Sequence, residues 1–294
     1  MDTLLRLRVT ALLCLSCVLV PNLSAGKDLP AVGETKVLSS ELDGSIPEKF
    51  RLAVGLAQIY GRVLNQEDRA AWVASDLAVE RKVFPEHPKA NGWIAGQVDF
   101  SEDLWQVSFT EKTDDRQLSF FDVQVDLSGP KPTMLGRESK PARRLNDVEH
   151  FLAEYRDMLL RSDKWLRCSE RYNYSLGLEI ENGKKVFVVK LLPARSNAKL
   201  FPLGGFHEFR FKPEGERKEF NQTKTCVNVD TSEQEPVAFV ISHLTSETPT
   251  QFHVFMSLSY GKPIYVATTQ NDLSWVVDAG TIKLLEKHGS PAAN

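Results

Sequence analysis

FPLGGFHEFRF, residues 201–211, sets two adjacent glycines between an apolar run and an alternation of aromatic and polar side chains. A loop that cradles phosphate and the corner of a sheet both use paired glycines, and the residues that follow separate the two. A dinucleotide loop needs Gly-x-Gly-x-x-Gly opening a helix, so that free helical N–H groups meet the pyrophosphate. Here His207, Phe209 and Phe211 fall on one face and Phe206, Glu208 and Arg210 on the other, which is the period of a strand. No Gly-Lys-Ser/Thr is present, so a P-loop is also excluded. The glycines therefore supply a positive φ or a bulge where the chain enters a strand, stiffened by Pro202.

Upstream, YSLGLEI (174–180) and KKVFVVKLL (184–192) flank Asn182-Gly183, a strong hairpin signal. Before that, Asn146 and Glu149 form a capping pattern ahead of a helix lined by Val148, Phe151, Leu152, Tyr155, Met158, Leu159 and Leu166. The first half repeats this order. Ile46, Phe50, Ala53, Val54, Ala57 and Leu64 recur at helical spacing, and Val73, Ala74, Leu77 and Phe84 predict a second helix ending at Pro85 and Pro88. Three period-two stretches follow, at 93–100, 104–109 and 118–127.

The fold class predicted is α+β, in two modules that each pack a helix on an antiparallel sheet. The first module spans 46–137 and the second 146–288. The proline-bearing passage 128–146 reads as a connection, with the linker itself at 138–145.

Arg6 and Arg8 precede an apolar run from Val9 to Val20 and then small residues, the layout of a secretory signal peptide over 1–26. Cleavage is expected after Gly26 or Ala25, leaving a leader over 27–45, and lipidation at Cys17 is the alternative processing. No later stretch is apolar enough to span a bilayer, so a periplasmic or secreted location is expected. Removing 1–26 takes Asp2, Arg6 and Arg8 and leaves a formal net charge of −4. That balance argues against a nucleic-acid partner.

Cys168 and Cys226 then remain, and an exported pair predicts a disulfide. Asn173 and Asn221 open glycosylation acceptor patterns, and Asp114-Asp115 reads as a solvated turn. His207, His243 and His253, with Glu208, are the candidate ligand or metal residues, His243 and His253 being placed on neighbouring strands of a hairpin. They carry no His-Glu-x-x-His or His-x-His spacing, and no Gly-x-Ser-x-Gly is present, so neither a cofactor nor a catalytic set is assigned. Trp93, Trp105 and Trp275 lie in strand contexts where an exposed ring could stack on a partner.

KLLPA (190–194), FPLGGFHEFRF, KTCVNV (224–229) and PTQFHVFMSLSYGKPIYVATTQNDLSW (249–275) together resemble a family of exported bacterial proteins with no assigned activity. This resemblance covers the second half and implies kinship of fold. In the first half, a helix followed by WQVSF and DVQVDLSGPKP is similar in layout to PepSY and cystatin-like modules, which implies a binding or inhibitory role. The resulting expectation is a non-enzymatic envelope protein with a protein or peptide partner. The alternative is a secreted hydrolase or metal-dependent enzyme built on the histidines.

Overall fold

The computed structural model describes residues 46–99, 101–113, 116–213, 217–220 and 225–287. The expected signal peptide, Cys17, the leader, Asn221 and Asp114-Asp115 lie outside them.

Helix α1 runs unbroken over Glu48–Glu80. Two helical stretches were expected here. They are one because Asn65, Gln66 and Glu67 between them include neither glycine nor proline, so nothing interrupts the hydrogen-bond ladder. A single 3-10 turn at Phe84–Glu86 follows.

Strands β1 (Ala90–Gln97), β2 (Leu104–Lys112), β3 (Gln117–Asp126) and β4 (Thr133–Arg144) form an antiparallel meander in that order. Trp105, Val107 and Phe109 pair across to Val125, Val123 and Phe121. All six are buried on one face, under Ala70, Ala74, Leu77 and Ala78 of α1. Alanines let the helix lie close on the pleated surface. The expected linker at 138–145 is corrected here: most of it is the second half of β4, where Arg143 and Arg144 pair with Ser119 and Leu118. Pro141 is compatible because β4 is an edge strand and the pairing is irregular between Glu138 and Arg143.

Helix α2 (Asp147–Arg161) begins at the expected capping box. Asn146 Oδ1 accepts the Glu149 N–H at 3.0 Å, and the Glu149 carboxylate accepts the Asn146 N–H at 2.8 Å. The helix covers a second antiparallel sheet of β5 (Tyr172–Glu181), β6 (Lys184–Pro193), β8 (His207–Phe211) and β9 (Arg217–Phe220). The hairpin turns at Asn182 and Gly183, both with positive φ, and Glu181 pairs with Lys184. Short strands β7 (Leu200–Pro202) and β10 (Asn228–Asp230) pair beside it.

The last sheet departs from the expected all-antiparallel meander. β11 (Phe239–His243) runs parallel to β12 (Ile264–Thr268), joined through helix α3 (Gln251–Tyr260). β13 (Leu273–Asp278) and β14 (Thr281–Lys287) complete it. QFHVFMSLSY reads as a strand because it is apolar all round. It is a helix whose Phe252, Val254, Phe255 and Met256 are all buried between α1 and this sheet. Gly61 permits that contact: a Cβ there would stand 2.3 Å from Val254 Cβ.

α1 thus serves two cores. Its first half, through Phe50, Val54, Ala57 and Leu64, packs with α3 and Trp275 of the third sheet, and its second half packs on the first sheet. A buried polar network ties α2 to the first sheet. Asp157 accepts from Asn91 at 2.9 Å and Gln117 at 2.8 Å, and pairs with the fully buried Arg156, which reaches Trp93 O.

Candidate functional site

The glycine pair of 201–211 resolves as a corner. Gly205 has φ +87°, and a Cβ there would collide with Cys168 Cβ at 2.5 Å. Cys168 is bonded to Cys226, with Cα atoms 5.1 Å apart, as expected. The bridge fixes the strand segment that follows, where the Leu203 N–H donates to Val227 O at 2.7 Å. Gly204, Phe206 and Val227 line a cleft of about 360 Å³ together with Ser242, His243 and His253.

His243 ends β11, and His253 lies in the first turn of α3. They meet across a strand-to-helix connection and not across the expected hairpin, since 251–260 is helical. His253 Nδ1 accepts the Thr250 N–H at 2.9 Å, the place a Glu or Gln fills in a capping box. An accepting Nδ1 assigns the proton to Nε2. His243 Nε2 is 2.7 Å from Ser246 Oγ, and Ser246 Oγ donates onward to Thr248 O at 2.6 Å. The hydroxyl proton is therefore spent on the carbonyl, and His243 donates to Ser246. Burial pushes the His243 imidazole down to about 4. Burial, with His243 beside it, holds His253 well below the ordinary histidine range. Both rings are neutral at physiological pH.

His207 does not join them. It is fully buried on β8, edge to face with Trp165 at 5.2 Å, with Nε2 2.9 Å from Leu166 O. Among the described residues no three His, Cys, Asp or Glu side chains gather to hold a metal ion, so the three-histidine arrangement is not formed. Glu208 points the other way from His207, as neighbours on a strand must. It accepts from Arg210 at 2.8 Å and from Gln251 at 2.9 Å. Arg210 also pairs with Glu179 and Glu181. Asn173 lies on β5, and its amide donates to Asp68 at 2.8 Å.

The tryptophans proposed as stacking surfaces are mostly core. Trp105 and Trp275 are buried, and Trp93 is half-buried, stacked on Tyr174 with centroids 4.4 Å apart. The indole that faces solvent is Trp72 on α1. Residue spacing also missed Ser246. It lies in the Leu244–Pro249 connection and gains meaning only once α3 brings that loop back over His243.

β11 leaves one edge of the third sheet open among the described residues. The Phe239 N–H donates to Pro263 O, and His243 O accepts from Thr269, so the odd positions face β12. In a parallel ladder the alternate residues, Val240 and Ser242, then turn their backbone groups outward. Val240 is 77% exposed and Val237 just before the strand is 90% exposed. Among the described residues no helix is long and apolar enough to cross a membrane. No protein-family model matches the chain, and no curated protein or solved structure matches it either.

Proposed function

We propose that this chain is an exported binding protein of the bacterial envelope that holds an extended peptide segment of a partner along β11. The observation that carries this reading is the outer edge of β11, unpaired among the described residues, bordered by exposed Val237, Val240 and Leu244 and adjoining the His243–His253 cleft. An edge with free N–H and C=O groups gives affinity by strand addition, and an adjoining cleft gives side-chain selectivity. Exposed apolar residues grouped on such an edge favour a partner over plain solvent. The disulfide suits an oxidising compartment.

Selection from displayed octapeptides against the oxidised protein tests it. Apolar, β-prone sequences should be enriched. Ser242→Pro, which removes an outward N–H, and Val240→Asp should each weaken the selected peptide about tenfold or more. Unchanged affinity in both variants overturns the reading.

A hydrolase is the second reading, favoured by the 2.7 Å contact of Ser246 Oγ with His243 Nε2. Against it stand the hydroxyl's bond to Thr248 O and an imidazole too weakly basic to take its proton near neutrality. Turnover of p-nitrophenyl butyrate that disappears in Ser246→Ala would establish it.

A further inference from the structure

Charged groups inside this molecule come with their own counter-charges. On the face of the second sheet turned towards α1, Arg210 gathers Glu179, Glu181 and Glu208. Lys190 stands in register with Glu208 and close to Glu67. The cleft beside β11 differs in kind, because no Asp, Glu, Lys or Arg lines it. Its polar groups are two neutral imidazoles, and each has one ring nitrogen to spare.

His243 spends Nε2 on Ser246 and Thr245, which leaves the lone pair of Nδ1 as an acceptor. His253 spends Nδ1 on Thr250, which leaves Nε2–H as a donor. Neither spare nitrogen has a partner among the described residues, although His253 is only 5% exposed. Neither belongs to the fully buried orphan atoms of the molecule, so both open onto accessible space. The space that both residues line is the cleft. An acceptor and a donor thus stand side by side, on rings whose centroids are 4.7 Å apart.

Strand geometry says which side chain would reach them. Residues opposite each other in neighbouring strands share a face of the sheet. Ile241 packs towards the core, whereas Val240 and Ser242 are exposed on the other face. In a strand laid along β11, the residue opposite Ile241 therefore turns its side chain inward, towards Phe252 and Met256 of α3. Its two neighbours turn to solvent. One side chain of the partner enters the cleft.

The lining selects its type. Phe206 and Phe252, with ring centroids 5.4 Å apart, and Leu203, Val227 and Met256 make apolar walls suited to an aromatic ring. A charged side chain would be desolvated there without a counter-ion. Phenylalanine would leave both spare nitrogens unpaired, and an indole N–H can donate but not accept. A phenol hydroxyl donates and accepts through a single oxygen. We propose that the cleft receives a tyrosine side chain of the bound segment, its hydroxyl donating to His243 Nδ1 and accepting from His253 Nε2–H. This rests on strand addition at β11 and names what the added strand carries.

Calorimetric titration of the mature, oxidised protein with acetyl-Thr-Val-Thr-Tyr-Thr-Val-Thr-amide tests it. Companion peptides carry phenylalanine, tryptophan, alanine or phosphotyrosine at the centre. The tyrosine peptide should bind at least about tenfold more tightly than each of them. His243→Phe keeps a ring and removes the acceptor. It should erase the preference for tyrosine over phenylalanine while leaving the phenylalanine peptide within about twofold, whereas a purely structural role would weaken both alike. Val227→Trp narrows the cleft from its exposed rim and should weaken the tyrosine peptide about tenfold but the alanine peptide hardly at all. Equal binding of the tyrosine and phenylalanine peptides, both weakened by Ser242→Pro, would overturn the tyrosine assignment and leave strand addition standing. Octapeptides enriched without tyrosine would overturn it in the same way. No binding by any of these peptides, with no enrichment of octapeptides, would remove both.

Discussion

The imidazoles of His243 and His253 meet edge to face with centroids 4.7 Å apart, and two different partners hold them. His253 Nδ1 accepts a hydrogen bond from the Thr250 N–H, whereas His243 donates its Nε2–H to Ser246 Oγ. A pair this close cannot take up two protons without repulsion inside a largely buried setting.

Acid should therefore loosen the third sheet. The folded-state pKa of His243 lies near 4, below its ordinary 6.5. Its stabilising contribution is thus fully present above pH 6.5 and is lost as pH falls towards 4. The loss from His243 amounts to about 3 kcal/mol. Urea titrations across that range should record the decline. His253→Gln keeps a capping acceptor and relieves the mutual repulsion, so it should make the decline shallower.

Glu67 predicts the opposite slope. Burial raises its carboxyl from 4.5 to about 7, outweighing the hydrogen bonds from Ser175 and Leu176 and the nearby charge of Lys190. A raised acid binds its proton more tightly when folded, so its contribution is best below pH 4.5 and erodes as pH rises through 7. Glu67→Gln should be neutral near pH 4 and should stabilise by up to about 3 kcal/mol near pH 8, measured by chemical denaturation at both. Equal effects at the two pH values would contradict this.

Loss of the disulfide should be felt at a distance from the sulfurs. Closing a separation of 58 residues is worth about 4 kcal/mol on the chain-entropy model. A Cys168→Ala, Cys226→Ala double variant should lose about 2–4 kcal/mol of unfolding free energy in guanidinium. It should also release the Val227 wall, seen as faster amide exchange at Leu203.

Gly61→Val tests the approach of α1 to α3. The new Cβ would overlap Val254, which is fully buried and has nowhere to retreat. Overpacking of this kind costs about 1–3 kcal/mol. The midpoint of thermal unfolding should fall accordingly, whereas Gly177→Ala, which meets open space, should leave it nearly unchanged.

How far the residues foretold all this varies with how local the cause is. Asn182-Gly183 fixed a hairpin to the residue because a turn with two positive φ values needs little context. Asn146 and Glu149 likewise placed the start of α2 through contacts three residues apart. α3 was misread because its apolar side chains face α1 on one side and a sheet on the other, which erases the period that separates helix from strand. Lys190 was hidden for a related reason. KKVFVVKLL looks like an ordinary core strand, and only the placement of α1 reveals that one face of it is charged. Of the three histidines, His243 and His253 meet and His207 does not, and that meeting depended on a crossover that no spacing announced.

The length of α1 has a further implication for the molecule as a mechanical object. A rod that is mortised into the first sheet at one end and into α3 at the other transmits any loosening between them. Cutting the chain near residue 145 would leave Phe50, Val54 and Leu64 facing water, stripped of the partners that bury them. The two halves should accordingly melt together in a single cooperative transition, and neither should persist as an excised fragment.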